Sequence, residues 1–330
     1  MSINTAKKVI VLGTGGTIAG TAASDGDNIG YTAAQIGVAQ LLHAIPALAG
    51  LPCELVSEQV AQIDSKDMSF GVWQKLLVRT VYWLADPQVQ GLVITHGTDT
   101  LEETAYFLHH ALPHALTGSK PVVLTCAMRP ASALNSDGPQ NIRDAIAVAL
   151  TPGAKGVVAV CGGTVHTAMD VQKIHTYRLD AFDSGDVGPL GYVEEGAVRL
   201  LKNWPLALES IAYNAIKNID IQNNWPRVEI VMNHAGAGAL LVDALLAQSS
   251  SGQVAPVRGI IVAGSGNGSL HHDLEDGLLR AIAGGVAVRR STRCAMGRVI
   301  PAANAVIADS DGLSPVKARI ALMLELMASA

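Results

Sequence analysis

The chain has 330 residues, 49% of them hydrophobic and 15% charged, enough apolar material to bury the core of one large or two moderate domains. That composition excludes a disordered or fibrous chain. The net charge is -5 and no Lys/Arg cluster could track a phosphate backbone, so nucleic-acid binding has no electrostatic support and small-molecule chemistry is the expected class.

Met1 to Lys8 form a short polar start that runs straight into the apolar stretch Val9-Ile10-Val11-Leu12, leaving no room for a secretory apolar segment. A cytoplasmic protein is therefore expected. Further β-branched runs follow at Leu92–Thr95, Val122–Cys126 and Val157–Val160. Each is nearly all apolar rather than alternating, the pattern of strands covered on both faces of a parallel sheet. Leu101, Ala105, Leu108 and Leu112 are spaced by four, three and four residues, which places them on one helical face. Between Gly196 and Pro226 the rhythm is broken by Asn203, Trp204, Pro205, Asn218, Asn223, Asn224 and Trp225. A linker over 199–226 is expected there, between a domain of residues 1–198 and a smaller one of residues 227–330.

Beyond it, runs at Val228–Met232, Ile260–Ala263 and Val286–Val288 predict three more buried strands. The last helix is marked by Ser314 as cap, Pro315 in its first turn, and Val316, Ile320, Met323 and Met327 as its buried stripe. This alternation reads as an α/β protein without an internal repeat. Gly, Pro or charged residues break every apolar run short of bilayer-spanning length, so no membrane partner is expected. Cys53, Cys126, Cys161 and Cys294 form no C-x-x-C pair and read as buried reduced thiols.

Two segments carry chemistry. Leu12-Gly13-Thr14-Gly15-Gly16-Thr17-Ile18-Ala19-Gly20 follows the first strand. As a dinucleotide fingerprint it fails, because the frame from Gly13 puts Ile18 where the third glycine should pack. It reads either as a tight structural turn or as a turn presenting the Thr17 hydroxyl beside backbone N–H groups that can stabilise an oxyanion. Thr95-His96-Gly97-Thr98-Asp99-Thr100-Leu101-Glu102-Glu103 ends another core strand. Thr98 or Asp99 could cap the helix that follows. Together, the two strand ends also match the crevice where open α/β sheets bind ligands.

These residues resemble the bacterial-type L-asparaginases and glutaminase-asparaginases. The resemblance runs from Thr14-Gly15-Gly16-Thr17-Ile18-Ala19-Gly20 through His96-Gly97-Thr98-Asp99-Thr100 to Ala318-Arg319-Ile320. Between them, in the family's order, lie Ala127-Met128-Arg129-Pro130, Asp137-Gly138-Pro139, Gly188-Pro189-Leu190-Gly191-Tyr192 and Gly266-Asn267-Gly268. The resemblance implies a two-domain fold, with a large, mainly parallel-sheet N-terminal domain and a smaller α/β C-terminal domain. It implies hydrolysis of L-asparagine to L-aspartate and ammonia through a threonine acyl-enzyme. Thr17 corresponds to the nucleophile, and Tyr31 to a tyrosine that hydrogen-bonds it from a mobile lid, here Gly20–Gly30. Thr98, Asp99 and Lys173 match a proton-handling group, with a lysine kept neutral by burial acting as base through Thr98. Ser65 corresponds to the serine that holds the substrate's α-carboxylate. Asn267 and Ser269 would complete a neighbour's site in a homotetramer of two intimate dimers. No metal or organic cofactor is implied; the His110/His114 pair and His271-His272 beside Asp273 read as solvated or capping residues.

Two positions depart from the family pattern, both on the side of the substrate's α-ammonium. Lys66 stands where Gln or Glu is usual, and Met296–Asp309 contains Arg298 but no glutamate. Lys66 is expected either to turn outward onto Asp64 or Asp67, or to select an amide without a free α-amino group, such as a succinamate, maleamate or N-acyl-asparagine. A non-catalytic amino-acid-binding protein and a nucleotide-dependent enzyme are the readings from other classes.

Overall fold

The computed structural model describes residues 7–206, 213–219, 225–251, 254–300, 302–303 and 305–329. Residues 207–212 and 220–224 of the expected 199–226 linker, Asn223 and Asn224 among them, lie outside the described residues. The chain divides into two compact units, Met1–Tyr213 and Asn214–Ala330.

In the first unit the strands are β1 (Lys8–Gly15), β2 (Glu54–Ile63), β3 (Val89–Thr95), β4 (Pro121–Thr125), β5 (Gly156–Cys161), β6 (Thr164–Thr167), β7 (Gln172–Lys173), β8 (Phe182–Asp183), β9 (Gly191–Glu194) and β10 (Ala197–Leu200). Eight of them form a sheet in the order β10-β9-β6-β5-β4-β3-β1-β2. Its β2-β1-β3-β4-β5 portion is parallel, while β6, β9 and β10 close it antiparallel. The helices are α1 (Val38–His43), α2 (Phe70–Leu84), α3 (Leu101–Ala111), α4 (His114–Thr117) and α5 (Gly138–Leu150).

The apolar runs earn their strands by burial on both faces. Val9 and Val11 pack with Val93, Val123, Ile142 and Ile146 in one core, while Ile10 and Leu12, on the alternate face of β1, are also fully buried. Helix α3 buries the predicted stripe: Leu101, Ala105 and Leu108, with Leu112 just past its end, are all 0% exposed. Each such leucine contributes about 1.5–3 kcal/mol of transfer free energy. Strand β2 was not predicted, and its position explains why. It is an edge strand with polar Glu54, Ser57, Glu58 and Gln59, paired in register from Lys8 opposite Glu54 to Gly13 opposite Gln59.

The second unit holds most of α6 (Tyr213–Asn218) and then β11 (Arg227–Met232), α7 (Leu240–Ser251), β12 (Val257–Gly264), α8 (His272–Ala283), β13 (Ala287–Thr292) and α9 (Pro315–Ala328). The three strands form a parallel sheet in the order β11-β12-β13. Two-sided burial holds for β12 but not for β11, an edge strand with Ile230 36% and Met232 56% exposed. The run at Val286–Val288 is displaced: β13 starts at Ala287 and extends through Arg289 and Arg290 to Thr292. In α9, Ile320, Met323 and Met327 are buried as predicted, Val316 is only partly so, and Ser314 occupies the cap position without a side-chain capping bond. All four cysteines are free, but only Cys126 and Cys161 are buried; Cys53 is half-buried and Cys294 exposed. No described helix is long and apolar enough to cross a membrane.

Candidate active site

Strands β1 and β3 are parallel neighbours with Gly13 opposite Thr95, so the turns at their carboxyl ends leave the sheet side by side. Thr14 Oγ1 ties them, donating to the Thr95 carbonyl at 2.9 Å. Gly15 and Gly16 turn the chain at φ of +101° and +83°, where residues with a Cβ are strained. Gly16 lies against the backbone of Gly97, and Gly97 in turn against Ser65 Oγ, so a Cβ at either would collide. Three turns, carrying Thr17, Ser65 and Thr98, are thereby packed to contact.

Thr17 sits in a single 3-10 turn, 6% exposed, with its Oγ1 2.7 Å from Tyr31 OH. Tyr31 is returned to that position by reciprocal backbone bonds between Thr21 and Thr32. The expected lid between them is seated: Asp27 accepts from the N–H groups of Gly30 at 2.7 Å and Ile29 at 2.9 Å, and Ala22 N–H donates to Ser132 Oγ at 2.8 Å. Those two N–H groups hold the Asp27 carboxyl below its usual range.

Lys173, on the short β7 strand paired with β8, donates from Nζ to Thr98 Oγ1 at 2.9 Å and to Asp99 Oδ1 at 2.7 Å. Its side chain is 18% exposed and that of Asp99 50%. Its immediate partners are thus a carboxylate and a hydroxyl. Neither Thr98 nor Asp99 caps α3. Thr100 holds that position, and its hydroxyl donates to the Ser65 carbonyl at 2.8 Å. Ser65, 2% exposed, accepts the Asp99 N–H at its Oγ at 3.1 Å, leaving its own proton to donate. Lys66 turns outward: its Nζ pairs with Asp64 at 2.9 Å and its side chain is 64% exposed. That hydrogen bond, first among its causes, raises the Lys66 ammonium above its ordinary range.

Asn267 and Ser269 belong to the second unit and are described within it. Asn267 bonds both backbone groups of Ile300, at 2.9 and 2.7 Å, while Ser269 exchanges backbone bonds with Ser265.

Sequence reasoning assigned no role to His96, which the structure makes a brace for the Thr98 turn. Fully buried, it donates from Nδ1 to the Gly97 carbonyl at 2.7 Å, so Nε2 must accept from Thr104 Oγ1 at 2.9 Å, which in turn accepts from Trp73 Nε1 at 2.9 Å. Burial pushes its pKa down to about 4, keeping it neutral. Asp137 braces a different segment, the one after β4, accepting the N–H groups of Met128 and Arg129 at 3.0 Å each. A histidine ending an apolar strand was the only signal in the sequence for the first of these.

Residues 8–206 match the family described as asparaginase, N-terminal, and residues 227–329 the glutaminase/asparaginase C-terminal domain. The chain belongs to the asparaginase family. It is 36% identical over 321 residues to L-asparaginase 2 of Bacillus subtilis (strain 168), covering 96% of this chain and 81% of that one. It is 36% identical over 332 residues to a glutaminase-asparaginase of Pseudomonas fluorescens biotype A, covering 96% and 86%. The crystal structure of a probable cytoplasmic L-asparaginase from Campylobacter jejuni superposes with a TM-score of 0.86 at 34% identity, over 97% of this chain and 95% of that one. The asparaginase N-terminal match spans Thr17, Tyr31, Ser65, Lys66, Thr98, Asp99 and Lys173; the C-terminal match spans Asn267 and Ser269.

Proposed function

We propose that this asparaginase-family chain hydrolyses the side-chain amide of L-asparagine, with Thr17 as nucleophile. The observation that carries the reading is the Thr17 Oγ1 to Tyr31 OH contact of 2.7 Å on a turn packed against the Thr98–Asp99–Lys173 group. In this proposal Thr17 Oγ attacks the amide carbon and its proton moves away, directly to Tyr31 or through Thr98 to Lys173. The carbon–nitrogen bond then breaks, the nitrogen takes up a proton, and ammonia leaves an ester on Thr17. Water attacks that ester, releasing L-aspartate and restoring the Thr17 hydroxyl. The free Ser65 proton suits the substrate's α-carboxylate, and the half-exposed Asp99 carboxylate suits its α-ammonium.

With Lys66 engaged by Asp64, its charge is drawn from the place that would repel an α-ammonium, which favours L-asparagine over an amide without a free amino group. The test is ammonia release from L-asparagine, D-asparagine, L-glutamine, succinamate, maleamate and N-acetyl-asparagine, with Thr17→Ala as control. Release mainly from L-asparagine, abolished in the control, supports the proposal. A preference for succinamate, maleamate or N-acetyl-asparagine keeps the mechanism and changes the substrate. Silence on all six favours a different amide substrate or a binding protein. The proposal includes a homotetramer in which Asn267 and Ser269 complete a neighbouring site, to be tested by the mass in solution against the 34.2 kDa chain. It also includes a cytoplasmic location, to be tested by fractionating the source cells.

A further inference from the structure

The first unit holds a cavity of about 490 Å³ lined by none of the candidate active-site residues. One wall is the start of α5, with Gln140, Arg143 and Asp144; the others are two tight hairpin turns. Gly162 and Gly163 join β5 to β6 at φ of +56° and +74°, and Glu195 and Gly196 join β9 to β10 at +48° and +79°. Paired positive φ values of this kind make two-residue turns with little freedom. The turns are also tied in place: Gly162 N–H donates to Asn141 Oδ1 at 3.1 Å, and Val193 N–H to the Gly163 carbonyl at 2.8 Å. The cavity is therefore built from fixed parts.

Asp144 is only 4% exposed. Its Oδ1 accepts from Gln140 Nε2 at 2.7 Å, while among the described residues no hydrogen bond reaches Oδ2 and no cation lies within ion-pair distance. A buried carboxylate is costly unless a cation meets it. Burial accordingly pushes the Asp144 carboxyl above its usual range. Arg143, the next residue along the wall, is exposed and pairs with no carboxylate of the described chain. Glu194 is already held by Arg199 through two bonds of 2.9 and 2.7 Å. What the cavity leaves free among the described residues is one oxygen of the buried Asp144 carboxylate, the Arg143 guanidinium and, at the rim, the exposed carboxylate of Glu195.

We propose that this cavity binds a small aminocarboxylate of the α-amino-acid class, its ammonium on Asp144 Oδ2 and its carboxylate on Arg143. A hard metal cation is a poorer match, because it requires six or more oxygen ligands and the free carboxylates here are one oxygen of Asp144 and the exposed Glu195, with no cluster of three metal-ligating side chains among the described residues. Arg143 supplies the bidentate fork that recognises a carboxylate. The site does not depend on the proposed amidohydrolase activity.

Equilibrium dialysis of the full chain tests it, with glycine, methylammonium and acetate as probes. Saturable glycine binding is expected, weakened at least about tenfold by Asp144→Asn and at least about fivefold by Arg143→Gln, and unchanged by Ser65→Ala. Methylammonium and acetate, each carrying one of the two charges, are expected to bind at least about tenfold more weakly than glycine. Asp144→Asn keeps the side chain's shape and removes a buried charge, so its melting temperature should match or exceed that of the unsubstituted chain. Should it fail to fold, the exposed Arg143→Gln variant carries the test alone. The proposal is overturned by absence of saturable glycine binding up to about 50 mM, by binding that survives both substitutions at this cavity, by binding lost in Ser65→Ala, or by methylammonium binding as tightly as glycine.

Discussion

Gly16 and Gly97, eighty-one positions apart in the chain, lie backbone to backbone where the turns after β1 and β3 meet. A methyl group on Gly16 would occupy space already filled by the Gly97 backbone, at a φ of +83° that L-residues resist. Gly16→Ala is therefore expected to lower stability by at least about 2 kcal/mol, more than backbone entropy could return, and to reduce ammonia release by at least about a hundredfold. Urea denaturation beside the activity assay checks both. A variant with unchanged stability and turnover would mean the two turns can part without consequence.

The 2.7 Å contact between Thr17 and Tyr31 separates two roles for the tyrosine. If Tyr31 handles the Thr17 proton, Tyr31→Phe should cut kcat by about 10² to 10⁴ with KM nearly unchanged. A rise in KM alone would make it a residue that seats the lid. Steady-state kinetics on L-asparagine distinguishes the two, with Thr17→Ala as the floor.

Folding keeps His96 neutral in a site where its pKa is about 4, and burial does the same to His109. In the unfolded chain both return to about 6.5, so below that pH the unfolded state binds more protons than the folded one. Stability should therefore fall as pH drops from about 6.5 to about 4, with His96 alone contributing roughly 3 kcal/mol of the loss. Above pH 6.5 this contribution is fully present. Urea midpoints measured across that window should show the slope, and His96→Gln, which keeps one donor and one acceptor, should reduce it to the share left by His109.

Cys126 and Cys161 lie 3.5 Å apart between their sulfurs at the ends of β4 and β5, and both are buried. The hydrogen bond to Cys161, together with burial, pushes the Cys126 thiol well above its usual range, whereas Cys294 is exposed. A disulfide-exchange reagent should modify Cys294 first in the folded protein and reach Cys126 and Cys161 only after denaturation. Rapid labelling of all four thiols under native conditions would contradict the described burial.

The α/β class, the core strands and the Gly-rich and Thr-Asp turns were legible in the sequence, because their signals lie within a few neighbouring residues. Apolar runs such as Val9–Leu12 need cover on both faces wherever they pack, and Gly15-Gly16 announces a turn in any context. The resemblance supplied the positions of Tyr31, Ser65 and Lys173, but not what surrounds them. Three-dimensional packing settled that Lys66 faces Asp64, that Lys173 reaches both Asp99 and Thr98, and that Thr100 occupies the cap position of α3. It alone revealed β2, whose polar edge position lacks the apolar pattern, and the buried links from Trp73 through Thr104 to His96. Lys173 is 75 residues from Thr98, and Gly162 is 21 from Asn141. Contacts across such separations are set by strand order and register, which no local run of residues encodes.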